Sequence, residues 1–430
     1  MIQELRMQNF KSFAAQRGAI QFGGLSLIIG TNASGKSNIR DGLRFMHGIS
    51  RGYSIAEIIG EKYVEGGVLQ WKGIRGGVKE TVLRNGNAND SKFTIEVRTK
   101  LPDEDGSGIA TYTITVDVGD KSRPPLVADE SLVVTGRGRY IFTTHPEGEK
   151  LNDDEDLRVI NARFRKESQK GFVGPKLDFR RDQPILTQVA EHKGIKLPSV
   201  KKSCEAFLKT ISSVRFLDLD PQALRRPSIP GQTILGDKGE NLSSVLQAIC
   251  ANASSKEALI EWTRELTPVD VGDMKFPEVS LEGKIQLQIV EAGGREISAE
   301  SASDGTLRFL AFAAALLGTE PARFYFFEEI ENGIHPNRAH LLINLLRNAT
   351  RKGGIQVAGT THSPALLNFL DEASLHDASL VYRAGSVSKI RSFTDIPALW
   401  QVATNSRAGE LHSSGWFENA VTFLEAEAAQ

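Results

Sequence analysis

Cysteine is scarce in this sequence, with only Cys204 and Cys250 in 430 residues. Two cysteines are too few for a disulfide framework, which suits a reducing compartment. Long apolar runs are scarce as well: the longest, Phe309 to Leu317, has nine residues, whereas a membrane-spanning helix needs about 20. The first residues contain no apolar stretch of the signal-peptide kind. We therefore expect a cytoplasmic protein that does not enter a membrane.

Net charge is nearly absent, at −1, so the chain as a whole is not a polyanion-binding protein. The charge is nevertheless uneven, because Arg158 to Arg226 carry 16 Lys and Arg against 7 Asp and Glu, which leaves −10 for the rest of the chain. This basic segment is a candidate contact surface for DNA, RNA or an acidic partner, or else a solvated insert. The sequence leaves both interpretations open.

The stretch Gly30-Thr31-Asn32-Ala33-Ser34-Gly35-Lys36-Ser37 matches the pattern G-x-x-x-x-G-K-[ST] of a phosphate-binding loop. An apolar run of strand length, Leu25 to Ile29, precedes it, and a predicted helix from Asn38 to Met46 follows. Glycine lets the backbone curl its N–H groups around an anion, and the helix presents its positive end to the same phosphates. Lys36 is predicted to bind the β- and γ-phosphates, and Ser37 to ligate Mg²⁺.

Alternation of apolar and polar residues predicts an antiparallel β-layer in the first part of the chain, beside the nucleotide-binding strand. Its predicted strands are Ile2 to Phe10, Ala19 to Phe22, Val68 to Trp71, Val78 to Leu83, Phe93 to Thr99 and Ile109 to Val118. Residues Arg158 to Arg264 favour a mainly helical insertion of about a hundred residues. Its predicted helices are Leu186 to His192, Lys201 to Ser212, Leu242 to Asn252 and Lys256 to Leu266.

The last third of the sequence predicts strands followed by a buried helix. The strands are Glu278 to Leu281, Ile285 to Glu291 and Arg295 to Ile297. The helix, Leu307 to Leu317, is apolar almost all round, which indicates burial. Ser303 or Asp304 is suited to cap its start, and Gly318 to end it.

Polar residues follow three apolar runs that are typical of parallel strands covered on both faces. The runs are Leu25 to Ile29, Phe324 to Phe327 and Ile355 to Thr360, and they precede the glycine loop, Glu328-Glu329 and His362. In open α/β sheets ligands bind at the carboxyl ends of the strands. We therefore expect Glu328 to hold Mg²⁺, Glu329 to deprotonate an attacking water, and His362 to donate to the γ-phosphate.

At these motifs the sequence resembles ABC-type ATPases of the SMC and RecF kind, and most closely bacterial AAA-family ATPases related to the OLD nucleases and to phage-defence ATPases. The resemblance covers roughly 1–120 and 275–400. The residues that carry it are Leu5 to Phe13, similar to the family's first strand; Gly30 to Asn38, similar to its phosphate loop; Ala302 to Thr306, at the signature position; Phe324 to Glu329, similar to Walker B; Glu331 to Pro336, similar to the D-loop region; and His362, similar to the switch histidine.

The resemblance implies an α/β fold: an ABC-type P-loop NTPase head with a mixed sheet, an antiparallel β-layer and a mainly helical insertion. The expected division is a first ATPase lobe at 1–150, a helical basic insertion at 151–266, a second lobe at 267–405 and a C-terminal helical tail at 406–430. It also implies ATP and Mg²⁺ as cofactors, bound by Gly30 to Asn38 with Lys11 and Ser12. Ser303, Asp304 and Gly305 would contact the ATP of a second subunit, in a homodimer or higher homo-oligomer of heads.

Two departures from the family pattern have consequences for activity. The usual Walker B aspartate is Glu328 here, so hydrolysis is expected to be slow. Only 68 residues follow His362 and they contain no Asp-x-Asp, so a nuclease domain of the OLD type is not expected in them. Gln70 is a candidate for the family's Q-loop glutamine by position alone.

The leading hypothesis from the resemblance is an ATPase whose ATP-driven head dimerisation switches a separate effector, a nuclease or a toxin, in anti-phage defence. One alternative is a RecF-like DNA repair or maintenance ATPase, whose basic segment would hold duplex DNA. Another is a scaffold that binds ATP and turns it over slowly.

Overall fold

The computed structural model describes residues 1–395, apart from 15–17, 84–90, 102–107, 120–122, 136–139, 147–157, 166–173, 268 and 352. The predicted C-terminal tail at 406–430 lies outside these described residues. The chain divides into two compact units. Unit 1 comprises Met1–Phe22, Gly30–Val214 and Ser379–Ser392, and unit 2 comprises Gly23–Ile29, Arg215–Ala378 and the described residues from Phe393.

The described elements are numbered in chain order. The strands are β1 (Ile2–Gln8), β2 (Ile20–Gln21), β3 (Leu25–Ile29), β4 (Lys62–Val64), β5 (Val68–Trp71), β6 (Lys92–Lys100), β7 (Ile109–Asp117), β8 (Leu126–Val134), β9 (Phe142–Thr143), β10 (Val159–Phe164), β11 (Lys176–Arg180), β12 (Val214–Leu217), β13 (Val271–Lys275), β14 (Gln288–Glu291), β15 (Glu296–Ser298), β16 (Phe324–Phe327), β17 (Gln356–Thr361), β18 (Ser379–Ala384) and β19 (Val387–Ser392). The helices are α1 (Lys36–Ser50), α2 (Ile55–Ile59), α3 (Gly77–Thr81), α4 (Ile185–Gln188), α5 (Pro198–Ser212), α6 (Pro221–Leu224), α7 (Leu242–Cys250), α8 (Ala253–Leu266), α9 (Asp304–Leu317), α10 (Ala339–Arg351), α11 (Pro364–Leu367) and α12 (Glu372–His376). Short 3₁₀ turns occur at Glu65–Gly67, Pro336–Arg338 and Phe393–Asp395.

Unit 1 contains an eight-stranded sheet in the order β11-β10-β9-β8-β7-β6-β1-β2. Buried and half-buried residues alternate along β6, β7 and β10, as expected for strands with one face on a core. Its paired strands run antiparallel, which confirms the predicted antiparallel layer. The same unit contains α1 to α5 and the antiparallel hairpin β18–β19.

Unit 2 contains the parallel strands β16, β17 and β3, neighbours in that order with β12 beside β16. Every residue of β3, β16 and β17 is buried, because parallel strands are covered on both faces. Helix α9 follows the predicted pattern. It has Ser303 as its N-cap and Gly318 after its last turn, and most of its residues are buried.

The mixed α/β fold expected from the sequence is therefore confirmed, but three local predictions are wrong. Residues 78–83, predicted as a strand, contain helix α3, because Gly76 and Gly77 have positive φ and turn the chain into it. Residues 159–180, placed in the helical insertion, contain strands β10 and β11, which pair along their length. Residues 278–281 form no strand; Glu278 makes one isolated bridge, to Ile285, before a turn at Gly283.

A buried carboxylate joins α4 to the sheet of unit 1. Glu130, on β8, is fully buried and accepts hydrogen bonds from the Ile185 N–H at 2.6 Å, the Leu186 N–H at 2.8 Å and the Tyr112 hydroxyl at 2.9 Å. Burial raises the pKa of Glu130 to about 7, although these three hydrogen bonds favour its charged form. The carboxyl group therefore holds the start of α4 from inside the core.

No helix in the described part of the chain is long and apolar enough to span a membrane.

Candidate functional site

The predicted phosphate loop continues directly from β3 and leads into α1. Its backbone has left-handed residues at Ala33 (φ 61°) and Gly35 (φ 112°), and the Ser34 N–H donates to the Thr31 carbonyl at 3.3 Å. Gly35 is the N-cap of α1, yet among the described residues no side chain caps this helix and no acidic residue lies in its first turn. The first N–H groups and the positive end of α1 are thus suited to an anion from outside the helix.

Glycine is required at both ends of this loop by close contacts. A Cβ on Gly35 would lie 2.5 Å from Ser388 Oγ and 3.1 Å from Ser12 Oγ, and one on Gly30 would lie 2.2 Å from the Val381 carbonyl oxygen. Real Cβ atoms are not found at 2.2–2.5 Å from other heavy atoms, and Gly35 also has a φ that disfavours side chains. The two fixed glycines of the motif are therefore explained by sterics in unit 1.

Lys36 lies under the loop and bonds to it. Its Nζ donates to the carbonyls of Gly30 at 2.6 Å and Thr31 at 2.8 Å, and the residue is buried. Ser34 Oγ is also buried and has no hydrogen-bond partner among the described residues. The ammonium of Lys36 and the hydroxyl of Ser34 lie within one curled loop, and both can donate hydrogen bonds to an anion with acceptor oxygens.

Ser12 and Asn38 lie beside the loop and bond to each other. The Asn38 amide donates to Ser12 Oγ at 2.7 Å, and Ser388 hydroxyl donates to the same oxygen at 2.7 Å. Ser37, the predicted Mg²⁺ ligand, is half-buried in the first turn of α1, while Asn32 in the loop is exposed. The structure therefore places Ser12 and Asn38 beside the phosphate loop, and their predicted contact with a cofactor stays a prediction.

Lys11 makes contacts that its predicted cofactor role does not require. Its Nζ lies 2.8 Å from Asp41 Oδ2 and donates to the Arg75 carbonyl at 2.7 Å. Arg75 Nη2 lies 3.1 Å from the same Asp41 oxygen, and both Lys11 and Asp41 side chains are buried. Lys11 thus ties the chain after β1 to helix α1, and its contact with a cofactor stays a prediction.

The ends of the parallel strands in unit 2 carry the second group of predicted residues. Ile29 at the end of β3 pairs with Thr361 at the end of β17, and Phe327 at the end of β16 pairs with Gly359. Glu328 and His362 are the residues that follow β16 and β17. The strand register therefore brings these two positions to the same edge, as the sequence predicted.

Glu329 has a strained backbone that the structure holds in place. Its φ is 47°, in the left-handed region that few non-glycine residues adopt. Its N–H donates to Thr360 Oγ1 at 2.9 Å, and its Oε2 accepts a hydrogen bond from the Asn332 amide. Strand β16 ends at Phe327, and Glu329 lies in the turn that follows it. Strain of this kind is concentrated at functional sites.

His362 is paired with Glu331, a residue that the sequence analysis did not assign. Its ring Nδ1 lies 3.1 Å from Glu331 Oε1, and its backbone N–H donates to the same oxygen at 2.8 Å. The Glu331 side chain is 12% exposed and that of His362 42%. In the sequence Glu331 is singled out only as the start of the segment similar to the D-loop region, Glu331 to Pro336, and that pattern does not name its partner.

The predicted signature segment lies at the start of α9. Ser303 Oγ caps the helix by accepting the Thr306 N–H at 3.1 Å. Asp304 is paired at 2.6 Å with Arg225, which also donates to the Ala302 carbonyl at 2.9 Å. Arg225 thus fixes the signature segment, a role that the charge pattern of the basic segment did not predict.

Cations elsewhere in the basic segment are engaged with neighbouring groups. Arg180 pairs with Asp182 at 2.6 Å, and the Arg181 guanidinium donates to the Val127 carbonyl at 2.9 Å. Lys201 donates to the Ala190 carbonyl at 2.7 Å. These contacts are structural, and they neither require nor exclude a nucleic acid. Gln70, the Q-loop candidate, is an exposed residue of β5.

Solved structures of SMC heads resemble this chain loosely. The SMC head bound to the C-winged helix domain of ScpA is 15% identical, with a TM-score of 0.49, over 91% of this chain and 97% of that one. The SMC head domain from Thermotoga maritima is 14% identical, with a TM-score of 0.42 over 91% and 98%. The Smc head with an extended coiled coil bound to the C-terminal domain of ScpA, derived from Pyrococcus furiosus, is 14% identical, with a TM-score of 0.43 over 93% and 98%.

No curated protein matches this sequence significantly. A sequence profile of one protein family matches residues 139–368. That span is more than half of the chain, and it contains the signature segment, the Glu328-Glu329 pair and His362. The chain belongs to this family, which is described as "AAA domain, putative AbiEii toxin, Type IV TA system".

Proposed function

We propose that this protein binds Mg·ATP and hydrolyses it to ADP and phosphate, as an ABC-type, SMC-like ATPase. The phosphate loop, Gly30 to Ser37, would hold the phosphates, with Lys36 as the cation. Glu329 would deprotonate the attacking water, and His362 would contact the γ-phosphate. Membership in an AAA family supports nucleotide binding as the general activity.

The observation that carries this proposal is the uncapped start of α1. A 15-residue helix begins at a left-handed glycine, with neither a capping side chain nor a first-turn carboxylate in the described structure. Its neighbours are the buried Lys36 ammonium and the unpartnered Ser34 hydroxyl. These groups suit a polyphosphate because its oxygens accept from every one of them.

The strand register of unit 2 supports the assignment of the acidic residues. Ile29 pairs with Thr361, so β3 and β17 end at the same level of the sheet in unit 2, and His362 is the residue after β17. Glu328 follows β16 on the other side of β17. Ligand chemistry collects at such carboxyl ends in open α/β sheets.

Mg²⁺ fits the oxygen donors that the chain offers. Ser37 and Glu328 would supply a hydroxyl and a carboxylate, and Mg²⁺ in nucleotide sites takes its remaining ligands from phosphates and water. The described residues contain no cluster of three or more His, Cys, Asp and Glu that could hold a metal ion. As negative charge moves from the attacked phosphate to the leaving group, the ion would neutralise it.

We further propose that ATP binding joins two heads, with Ser303, Asp304 and Gly305 of each facing the nucleotide of the other, and that this switches an effector. The family description names the AAA domain together with a toxin–antitoxin system, which supports a role in such a system. That the effector is a separate nuclease or toxin and that the system acts in anti-phage defence are parts of the same proposal. Ser303 is the N-cap of α9, so the positive end of the helix dipole lies at the residues that would face the nucleotide.

Nucleotide binding and phosphate release by the purified chain test the proposal. The wild type should bind Mg·ATP and release phosphate, whereas Lys36→Ala should lose at least tenfold in ATP affinity through the missing charge–phosphate contact. Lys92→Ala, which removes an exposed lysine of β6, is the matched control and should behave as the wild type. Equal ATP affinity in all three proteins would overturn the proposal.

A further inference from the structure

One carboxylate oxygen makes both contacts between Glu331 and His362. Glu331 Oε1 accepts the His362 backbone N–H at 2.8 Å and lies 3.1 Å from ring Nδ1. Glu331 Oε2 is sealed from solvent and has no hydrogen-bond partner in the described structure. In the described structure, the polar contacts of this carboxylate are therefore both made with His362.

Hydrogen bonds join the loop after β16 to the end of β17 just before this pair. The Glu329 N–H donates to Thr360 Oγ1 at 2.9 Å, and the Ile330 N–H donates to the Thr360 carbonyl at 3.1 Å. Glu331 comes next in one loop and His362 follows in the other. The sheet register thus sets the backbone of both residues, and the carboxylate fixes the ring.

The contact also determines which ring nitrogen faces the carboxylate. A carboxylate oxygen accepts hydrogen bonds, so Nδ1 must carry a proton to bond to Oε1. The other nitrogen, Nε2, is then left for a group outside the pair. The tautomer of a histidine is commonly set by such a partner.

We propose that Glu331 is the positioning residue of His362: it fixes the ring in the Nδ1–H form and leaves Nε2 as the atom that meets the nucleotide. This inference rests on the proposed ATPase function for its consequence in catalysis, but the tautomer itself does not. It assigns the pairing to Glu331, the third glutamate after β16, rather than to Glu329, whose Oε2 accepts a hydrogen bond from Asn332.

A second histidine provides an internal comparison. His376 Nδ1 lies 3.1 Å from Asp377 Oδ1, the same separation as in the Glu331–His362 pair, but the His376 side chain is 67% exposed. Exposed pairs contribute little because water and salt screen them. Glu331, at 12% exposure, is shielded on its own side of the contact, so its effect on the ring should be the stronger of the two.

Nitrogen NMR of histidine-labelled protein, without nucleotide, tests the tautomer directly. The His362 signals are assigned by their loss in His362→Gln. We expect protonated Nδ1 in the wild type, a mixture dominated by Nε2–H in Glu331→Ala, and unchanged His376 signals in both. A wild-type ring protonated on Nε2 alone, or an unchanged ring in Glu331→Ala with the fold intact by circular dichroism, would overturn the proposal.

Steady-state ATPase kinetics test the consequence. Glu331→Ala should lower kcat about 10- to 100-fold, the size expected for a lost hydrogen bond to a charged group, with the KM for ATP changed less than threefold. Glu331→Gln keeps an acceptor and should recover part of the loss. The double variant with His362→Gln should be no slower than His362→Gln alone, because both changes disable the same Glu331–His362 pair.

Glu320→Gln, an exposed glutamate of the same unit, is the control and should leave kcat unchanged. Additive losses in the double variant would show that Glu331 acts independently of His362 and would overturn the inference. A wild type with no ATPase activity would contradict the proposed function instead, while the NMR result would still decide the tautomer.

Discussion

Gly305, in the first turn of α9, touches the backbone of Gly333. A Cβ on Gly305 would lie 2.3 Å from the Gly333 carbonyl oxygen, and a Cβ on Gly333, whose φ is 74°, would lie 3.1 Å from Arg308 Cδ. Two glycines thus allow the signature segment to lie directly against the loop that follows Glu328 and Glu329. Gly305 has no room for a side chain, and the positive φ of Gly333 disfavours one there. Both are reasons for glycine that are independent of any nucleotide.

Replacing Gly305 should therefore disturb unit 2 even without ATP. Gly305→Ala places its methyl group on a backbone atom, and overpacking of this kind costs about 1–3 kcal/mol. We expect the thermal unfolding midpoint to fall by several degrees. Gly293→Ala is the control, because nothing lies within 4 Å of a Cβ there. Equal midpoints for the two variants would contradict the contact.

The two neighbouring glutamates should separate in binding and turnover. Glu328→Gln removes the proposed metal ligand and should weaken Mg·ATP binding. Glu329→Gln should spare binding and lower turnover by roughly 10²–10⁴-fold, the usual contribution of a positioned base, and should accumulate an ATP-bound dimer. Nucleotide affinity and single-turnover rates decide between them. Wild-type hydrolysis by Glu329→Gln would show that Glu329 is not the base.

Composite sites between two chains predict complementation. Lys36→Ala and Ser303→Arg chains should each be inactive alone, while their mixture should regain part of the activity through one intact site. The Ser303 change also removes the cap of α9, which normally contributes about 1 kcal/mol, so Ser303→Ala serves as a control for lost capping. If mixed dimers form and no activity returns, the signature segment does not act in trans.

The basic segment should reveal a nucleic-acid role through salt dependence. Backbone binding weakens with salt with a slope near one per phosphate contact. Four cations of this segment are Arg180, Arg181, Lys201 and Lys202, of which Arg181 and Lys201 donate to backbone carbonyls. Reversal of the exposed Arg180 and Lys202 alone should weaken DNA binding and spare ATP binding. If the wild type shows no salt-sensitive affinity for DNA or RNA, the basic segment is instead a surface for a protein partner or a solvated insert.

Glu130 should make the stability of unit 1 fall as pH rises. Its folded pKa of about 7 exceeds the ordinary 4.5, so the folded state holds a proton that the unfolded state releases between these values. The contribution of Glu130 to the free energy of unfolding is fully present below pH 4.5. It falls by about 3 kcal/mol as the pH rises to 7.

Glu130→Gln should abolish that dependence, because an amide does not titrate in this range. The unfolding midpoint of the wild type relative to Glu130→Gln should decrease from pH 5 to pH 8. Glu65→Gln, at an exposed residue, should follow the wild type throughout. A constant difference between wild type and Glu130→Gln would show that Glu130 keeps an ordinary titration.

Much of the fold was predictable where one local pattern suffices. Strands β3, β16 and β17 are short apolar runs with chemistry directly after them, and helix α9 has a serine before it and a glycine after it. The turn from β3 through Gly30 to Ser37 into α1 was predictable because its steric demands fall on eight consecutive residues. In each case the signal and the structure that it produces lie within about fifteen residues.

Contacts between distant residues were not predictable. Glu331 and His362 are 31 residues apart, and Arg225 and Asp304 are 79 apart. Nothing in either sequence neighbourhood states the partner. Strand β10 was missed for a different reason: its alternation, Val159 to Phe164, is clear in hindsight, but the surrounding charges favoured solvated helix. Its antiparallel pairing with β11 identifies this segment as a strand.

The bonds from Lys36 to its own loop affect the thermodynamics of ligand capture. Because the ammonium already bonds to the carbonyls of Gly30 and Thr31, the loop is preorganised, and little conformational entropy remains to be lost when phosphates arrive. On binding phosphate, the Lys36 ammonium would exchange its two carbonyl partners for phosphate oxygens, so its charge would contribute less to the binding free energy than a wholly new contact. Affinity should then depend strongly on how completely the phosphate oxygens compensate two displaced carbonyls, which favours a triphosphate over shorter anions.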